Sequence, residues 1–379
     1  MPTIAKIEVF PVRLPMKKLF SFASGTAGTF AQGAPHVFVK VTDSDGAFGW
    51  GECRPVPGWS YETLETVVTT LKNYVAPAVV GRDVWDRGGI FALLNRVVGQ
   101  GVTTGQPIAR AAFDMALHDL CATLAGVSLR QFVGGSGAKA QLDFSYTLTE
   151  HSVEEVRRAI ENAQNEGFKH FNFKPGVDLS TDAEVAHAIR EAAGPDAFVW
   201  ADANGGLQLH QARKLAKQFY EAGVDVLEQP LAPNQLLQMK ALREGCPIPL
   251  AVDEASVSAS DFFQHAAAGL VDYFVLKVTR SGGIWPSLDQ LAVMRAAGLP
   301  FIVSGLTDGL LTKVAAGQLA AAFGTAGPLA LNGSQFVDDT ALFPQKEEFE
   351  HGGTLFLPDT PGIGVAPDEA ALQKFAAEM

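Results

Sequence analysis

From residue 140 onward, short apolar runs recur at a near-constant interval, each followed by a segment whose apolar positions fall three and four apart. The runs AQLDFSYTL, FKHFNFKPG, AFVWADANG, VDVLEQP, IPLAVDEA, VDYFVLKVT and LPFIVSGLTDG read as strands; segments such as LQLHQARKLAKQFYEAG and WPSLDQLAVMRAAG read as helices. An eighth run, PLALNGSQF, has the weakest pattern. Strand then helix, repeated without hairpin turns, predicts a parallel sheet with crossover helices, and eight such units predict an α/β fold of the (β/α)8 barrel type.

The first third of the chain has a different texture. Ile4 to Lys40 reads as two extended segments separated by SFASGTAGTFAQG, a small-residue stretch without periodicity that suits a mobile lid. A third strand, AFGWGE, runs into a second loop, CRPVPGWSYET, and helices follow to ARAAFDMALHDLCATLAG. Residues 1–133 therefore predict an α+β capping domain with lid loops at 21–33 and 52–62, ahead of a barrel domain at 134–336. Residues 337–379, rich in Gly and Pro with one strand-like run, TLFLPDTPGIGVAPDE, are expected to return to the cap. Phe22, Trp59 and Tyr61 lie on the lid loops, placed to close over a ligand.

Composition narrows the partners. A net charge of -12 with no Lys/Arg cluster argues against nucleic acid and anionic membrane, leaving small-molecule chemistry. Cys53, Cys121 and Cys246 are odd in number and widely spaced, so neither a disulfide framework nor a Cys-x-x-Cys metal site is expected, and a reducing cytoplasm is the default. The N-terminus alternates like a strand and lacks a signal-peptide core; no apolar stretch is long enough to span a bilayer.

Four ionisable residues end successive strand runs: Asp202, Glu228, Asp253 and Lys277, separated by 26, 25 and 24 positions. In a barrel those strand ends open on one face. Trp200, Asp202 and Asn204 share one side of their strand, as do Val226 with Glu228 and Val275 with Lys277, and inward charges beside apolar neighbours are costly unless paired or metal-bound. Any one of these carboxylates alone reads best as a structural ion pair. Three in consecutive units match an octahedral Mg2+ site, with Mn2+ as the alternative, leaving positions open for substrate oxygens. Lys174 ends the second strand run and Lys277 the sixth, on opposite sides of the barrel axis. They would supply an acid and a base to opposite faces of a carbon next to a metal-bound carboxylate. Asn204 and Glu254 adjoin those ligands in sequence, and the end of SGLTDGL places Ser304, Leu306 and Asp308 on one inward face, where Asp308 would polarise Lys277, bind substrate or form a structural ion pair.

Taken together, these residues resemble the enolase superfamily, and within it the muconate lactonizing enzyme branch. The resemblance covers nearly the whole chain, including both lid loops, ARAAFDMALHDL, the turn at Val133 to Gly135 and the closing PGIGV. It implies Mg2+ on Asp202, Glu228 and Asp253, acid/base roles for Lys174 and Lys277, a small carboxylate substrate and a homo-oligomer. Asn172 departs from the pattern, standing where the branch has the first Lys of a Lys-x-Lys pair. Two ammonium groups about 7 Å apart on one strand face repel by roughly 2 kcal/mol at an effective dielectric near 20. Losing that repulsion predicts a higher Lys174 pKa than a Lys-x-Lys enzyme would have. Asn172 could equally contact substrate. The eighth run lacks the Asp-x-Asp of the dipeptide epimerases, which lowers the expectation of a dipeptide substrate, and no His ends a late strand as in the mandelate racemase branch.

The resulting expectation is proton abstraction α to a carboxylate through an enediolate, by a racemase, epimerase or cycloisomerase, with a dehydratase of hydroxy acids or hydroxy-amino acids as the alternative. A Schiff-base aldolase using Lys277 and a non-catalytic binding barrel are the remaining rivals. VGGSGAK lacks Walker spacing, so nucleotide chemistry is not expected.

Overall fold

A computed structural model describes residues 1–22, 25–27, 29–100, 105–135 and 141–378, with Ser21, Phe22 and Ala27 described at the backbone only. Three antiparallel strands open the chain: β1 (Ile4–Leu14), then, after a short strand β2 (Phe20–Phe22) paired with Gly25–Ala27, β3 (Ala34–Asp43) and β4 (Phe48–Cys53). The turn α1 (Pro57–Ser60) follows, and the long helix α2 (Pro107–Ala125) packs directly on β4. That approach needs glycine: a Cβ on Gly51 would lie 2.0 Å from the Ala112 carbonyl oxygen. The first turn of α2 is capped by Glu62, whose carboxylate accepts from the amides of Ile108 at 2.7 Å and Ala109 at 3.0 Å.

The barrel strands are β5 (Ser145–Leu148), β6 (His170–Phe173), β7 (Val199–Asp202), β8 (Val226–Glu228), β9 (Leu250–Val252), β10 (Tyr273–Leu276) and β11 (Phe301–Val303), parallel and in sequence order. The predicted eighth strand is reduced. Only Leu329 and Ala330 bridge, the Leu329 carbonyl accepting from Ser145 at 2.8 Å and the Ala330 amide donating to Val303 at 2.9 Å, which closes the ring. The rest of PLALNGSQF turns into a short helix, Gly333–Phe336. Two features explain this. A Cβ at Gly333 would meet the Asp308 carbonyl oxygen at 1.9 Å, so only glycine lets the segment come so near. Gln335 then donates to the Thr147 carbonyl at 3.3 Å and accepts from its amide at 3.0 Å, supplying with one side chain the pairing a strand would have given β5. The first predicted run also divides: Gln141–Asp143 pairs antiparallel with Thr354–Phe356 outside the barrel.

Trp200, Val226, Ala251, Val275, Ile302 and Ala330 form a small buried cluster of their own, the layer that fills the barrel's lumen. Two residues further along each of those strands stand Asp202, Glu228, Asp253, Lys277, Ser304 and Asn332. Since side chains repeat their direction every second residue, the apolar layer and the polar mouth above it are one periodicity read at two depths.

The end of the chain returns to its beginning: the Arg13 amide donates to Phe375 O at 3.0 Å and the Ala377 amide to Pro11 O at 2.9 Å. Cap and barrel meet through Glu52. Its carboxylate, fully buried, accepts from the amides of Gly309 at 2.9 Å and Thr312 at 3.1 Å, at the start of the helix α3 (Leu310–Phe323), and lies 2.7 Å from His36 Nδ1. No described helix is long and apolar enough to cross a membrane.

Candidate active site

Phe20, Trp59, Asn172, Lys174, Trp200, Asp202, Glu228, Lys277, Ser304, Gly305, Ala330 and Asn332 line one cavity at the C-terminal mouth of the barrel. Its volume is about 10 Å3, room for roughly one water. The roof is aromatic. Trp59 lies with its ring 4.5 Å from Lys277 Nζ and 5.5 Å from the Arg280 guanidinium, and the Phe20 ring lies 5.4 Å from Lys174 Nζ.

Below the roof the charges are arranged in pairs around one exception. Lys174 Nζ donates to Asp202 Oδ2 at 2.5 Å. Lys277 Nζ donates to Asp253 Oδ2 at 2.5 Å, and Arg280 to the other oxygen of Asp253. Glu228, register partner of Asp202 on the neighbouring strand, is 1% exposed and its Oε1 has no partner among the described residues. Burial, with Asp202 and then Asp253 nearby, pushes the Glu228 carboxyl well above the ordinary range. For Asp253, burial acts upward but Arg280 and Lys277 outweigh it, holding the carboxyl down at about 2. Burial likewise works against the Lys174 ammonium, yet Asp202 and Glu228 prevail and hold its pKa above the usual lysine value.

Around this core, Asn204 donates from Nδ2 to Asp202 at 3.2 Å and to Glu254 at 3.0 Å, and its amide donates to Asp202 Oδ1 at 3.0 Å. Trp59 Nε1 donates to the same Glu254 oxygen at 2.8 Å. Glu254 therefore joins the lid to the carboxylates, while its other oxygen, Oε2, is buried without a partner among the described residues. Asn204 and Gln229, both just past strand ends, have φ of 44° and 37°. Such left-handed backbone at non-glycine residues is uncommon and clusters at functional sites.

The donor set suits a hard divalent cation. Asp202 and Glu228 line one small space with Asp253 at the end of the next strand, and the Glu228 Oε1, buried without a partner among the described residues, is the kind of atom such an ion satisfies. Among the described residues no three His, Cys, Asp or Glu side chains converge as closely as a bound ion requires, and Lys174 and Lys277 each hold an oxygen of Asp202 and Asp253.

The other sequence candidates fall as follows. Asn172 is buried on the cavity wall and donates to Ser145 Oγ at 3.1 Å. Asp308 does not line the cavity: it is buried behind the mouth, accepting from the Leu306 amide at 2.7 Å, with Glu52 and Arg54 near it rather than Lys277. Tyr61, expected to cover the ligand with Trp59, is 67% exposed and stands outside the lining. The side chain of Phe22 lies outside the described residues, as do parts of the 21–33 loop. Arg280, Phe20 and Asn332 went unnoticed in the sequence. Arg280 had a signal: three positions past Lys277, it returns to the same side in a single helical turn, Val278–Ser281.

A barrel with ionisable side chains at the ends of successive parallel strands, covered by an α+β cap, defines the class of capped (β/α)8 enzymes. Residues 6–134 match the family described as mandelate racemase / muconate lactonizing enzyme, N-terminal domain, and residues 154–371 match enolase C-terminal domain-like. The chain is 30% identical over 382 residues to muconate cycloisomerase 1 of Rhodococcus opacus, covering 96% of this chain and 95% of that one. It is 27% identical over 370 residues to the L-Ala-D/L-Glu epimerase of Bacillus subtilis (strain 168), covering 96% of each. Its fold matches the dipeptide epimerase from Cytophaga hutchinsonii, complexed with Mg and the dipeptide D-Ala-L-Val, with TM-score 0.86 at 24% identity over 98% of both chains. The chain belongs to the enolase superfamily, in its muconate lactonizing enzyme branch.

Proposed function

We propose that the protein abstracts the proton α to a substrate carboxylate and returns a proton to the resulting enediolate, as a racemase, epimerase or cycloisomerase. The observation that carries this reading is the arrangement of Lys174 and Lys277, each ion-paired to a different carboxylate, with Glu228, whose Oε1 has no partner among the described residues, between those carboxylates. Asp202, Glu228 and Asp253 would hold Mg2+, which supplies charge stabilisation for a bound carboxylate and for the negative charge it gains on deprotonation. Lys174 and Lys277, donating to Asp202 and Asp253, carry the amines that would move the proton. Lys174 from β6 and Lys277 beyond β10 approach from opposite sides of the axis, so each serves one face of the α-carbon. Trp59 and Phe20 cover the two amines and exclude water while the proton is held.

The muconate cycloisomerase and dipeptide epimerase names of the relatives support isomerisation, and the Mg in the Cytophaga hutchinsonii complex supports the choice of metal. A Schiff-base role for Lys277 is disfavoured because its amine is buried and ion-paired to Asp253 beside Arg280. The deciding experiment incubates a carboxylate library in D2O with Mg2+ and follows α-deuterium uptake in the wild type, Lys174→Ala and Lys277→Ala. Uptake that is lost on chelation, and that depends on a different lysine for each enantiomer, is the expected result. Uptake indifferent to both lysines would end the proposal.

A further inference from the structure

Arg54 is wholly buried where the second lid loop leaves β4, yet it lines none of the cavity. Its Nη1 donates to the carbonyls of Leu306 at 3.3 Å and Thr307 at 3.0 Å, in the turn that follows β11. Its Nε and Nη2 are buried without a partner among the described residues, as is Oδ1 of nearby Asp308. Burial pulls the pKa of the guanidinium down to about 10, with Asp308 and then Glu52 acting against it. A long apolar side chain would join cap to barrel without stranding those N–H groups. It would not grip two successive carbonyls, which is what a guanidinium adds here.

Those two carbonyls bracket a single Cα. Thr307, whose Cα it is, has φ 60°, and left-handed backbone at a non-glycine residue persists only where its surroundings over-determine it. Arg54 holds the peptide plane on either side, while the Leu306 amide donates to Asp308 at 2.7 Å and the Gly309 amide to Glu52 at 2.9 Å. Ser304 and Gly305, immediately before this turn, line the cavity. In the other direction the chain reads Arg54, Pro55, Val56, Pro57 and enters α1, which carries Trp59 over Lys277. The two prolines fix their own φ and hold Arg54 and Val56 extended, so little freedom separates the guanidinium from the Trp59 ring.

We infer that Arg54 is a positioning residue that locks the second lid loop to the β11 side of the cavity, so that the Trp59 cover over Lys277 and the wall at Ser304 and Gly305 are set as one piece. Its kinetic consequence rests on the enediolate reading above; its hold on the lid does not. The fork geometry matters, because lysine would bring the charge but only a single point of donation.

The test compares wild type, Arg54→Met and Arg54→Lys by amide hydrogen exchange and by steady-state α-deuterium uptake, both with Mg2+ present. The amides of Trp59 and Ser60, which donate to Val56 O at 2.8 Å and 2.7 Å, report on the lid, and those of Val39 and Val41 in β3 on the cap sheet. Arg54→Met is expected to speed lid exchange by about tenfold or more with the sheet unchanged, and to lower kcat and raise KM together, kcat/KM falling about 10²-fold. Arg54→Lys should recover part of both effects. A residue that only joins cap to barrel would lower the melting temperature, speed lid and sheet amides alike and leave kcat and KM where they were. That result overturns the inference, as does an unmoved lid or unmoved kinetics in Arg54→Met. If Arg54→Met does not fold, Asp308→Asn decides, since it keeps an acceptor for the Leu306 amide but removes the charge beside Arg54: faster lid exchange supports the inference and unchanged exchange overturns it. Exchange is read without turnover, so a wild type that takes up no deuterium overturns the enediolate reading and leaves Arg54 to be judged on the lid amides.

Discussion

Replacing Glu228 with Gln separates the metal reading from a purely structural one, because the two predict opposite signs. In the structure Glu228 is buried, flanked by Asp202 and Asp253, and has one oxygen without a partner among the described residues. Gln removes the like charge and offers an amide that can donate to either neighbour. Relieving one unsatisfied buried group stabilises a fold by about 1 to 3 kcal/mol. For 379 residues the unfolding entropy is about 0.8 kcal/mol per degree, so the melting temperature without added metal should rise by about 1 to 4 °C. Mg2+ at a hundred times its Kd stabilises the wild type by about 2.7 kcal/mol, a further rise of about 3 °C. Glu228→Gln should lose most of that increment, one of three carboxylates having gone. Differential scanning calorimetry on chelator-treated protein, with and without Mg2+, reads both quantities. A lower melting temperature for the variant without metal, or an undiminished rise with it, would refute the assignment of Glu228 as a ligand.

Three further outcomes are expected. Trp59→Phe keeps a ring over Lys277 but deletes the donor to Glu254; steady-state kinetics should show kcat/KM lowered by about tenfold with the melting temperature nearly unchanged, whereas a lid without that tie would show no change. Lys174→Ala and Lys277→Ala should each reduce turnover by at least about 10²- to 10⁴-fold, and Mg2+-induced thermal stabilisation should survive in both, since neither side chain is a ligand. Asp119, buried on α2 and accepting from the amides of Trp50 and Ile363, is pushed up by burial to about 7. Its folded pKa is raised, so its contribution is complete below the unfolded carboxylate value near 4 and is lost as pH rises through about 7, a total of about 4 kcal/mol with over half falling between pH 5 and 8. Urea melts of Asp119→Asn should therefore lack that decline and gain on the wild type as pH rises; parallel slopes would contradict it.

The mouth of the barrel was legible because period-two alternation fixes direction: knowing that Val226 faces in places Glu228, and Val275 places Lys277. What escaped depended on contacts between distant segments. Nothing in LNGSQF announces that Gln335 will replace a strand's ladder, since its partner Thr147 is 188 positions away. Asp308 shares the parity of Ser304 and looked inward, but the backbone leaves the strand first: the strained Thr307, at φ 60°, turns Asp308 back toward the Leu306 amide. Tyr61 follows Trp59 by two positions, yet it ends α1 in a left-handed conformation of its own, at φ 69°, and stands in solvent. Alternation is a sound guide only while the strand lasts.

The bonds from Phe375 and Ala377 to the first strand carry a consequence for synthesis. A nascent chain exposes that edge from its first moments outside the ribosome, hundreds of residues before the segment that seals it has been translated. Assembly of the first sheet must therefore wait until that segment has been made. Losing Phe375 to Ala377 would leave an open backbone edge on the lobe that roofs the pocket, far along the sequence from the change.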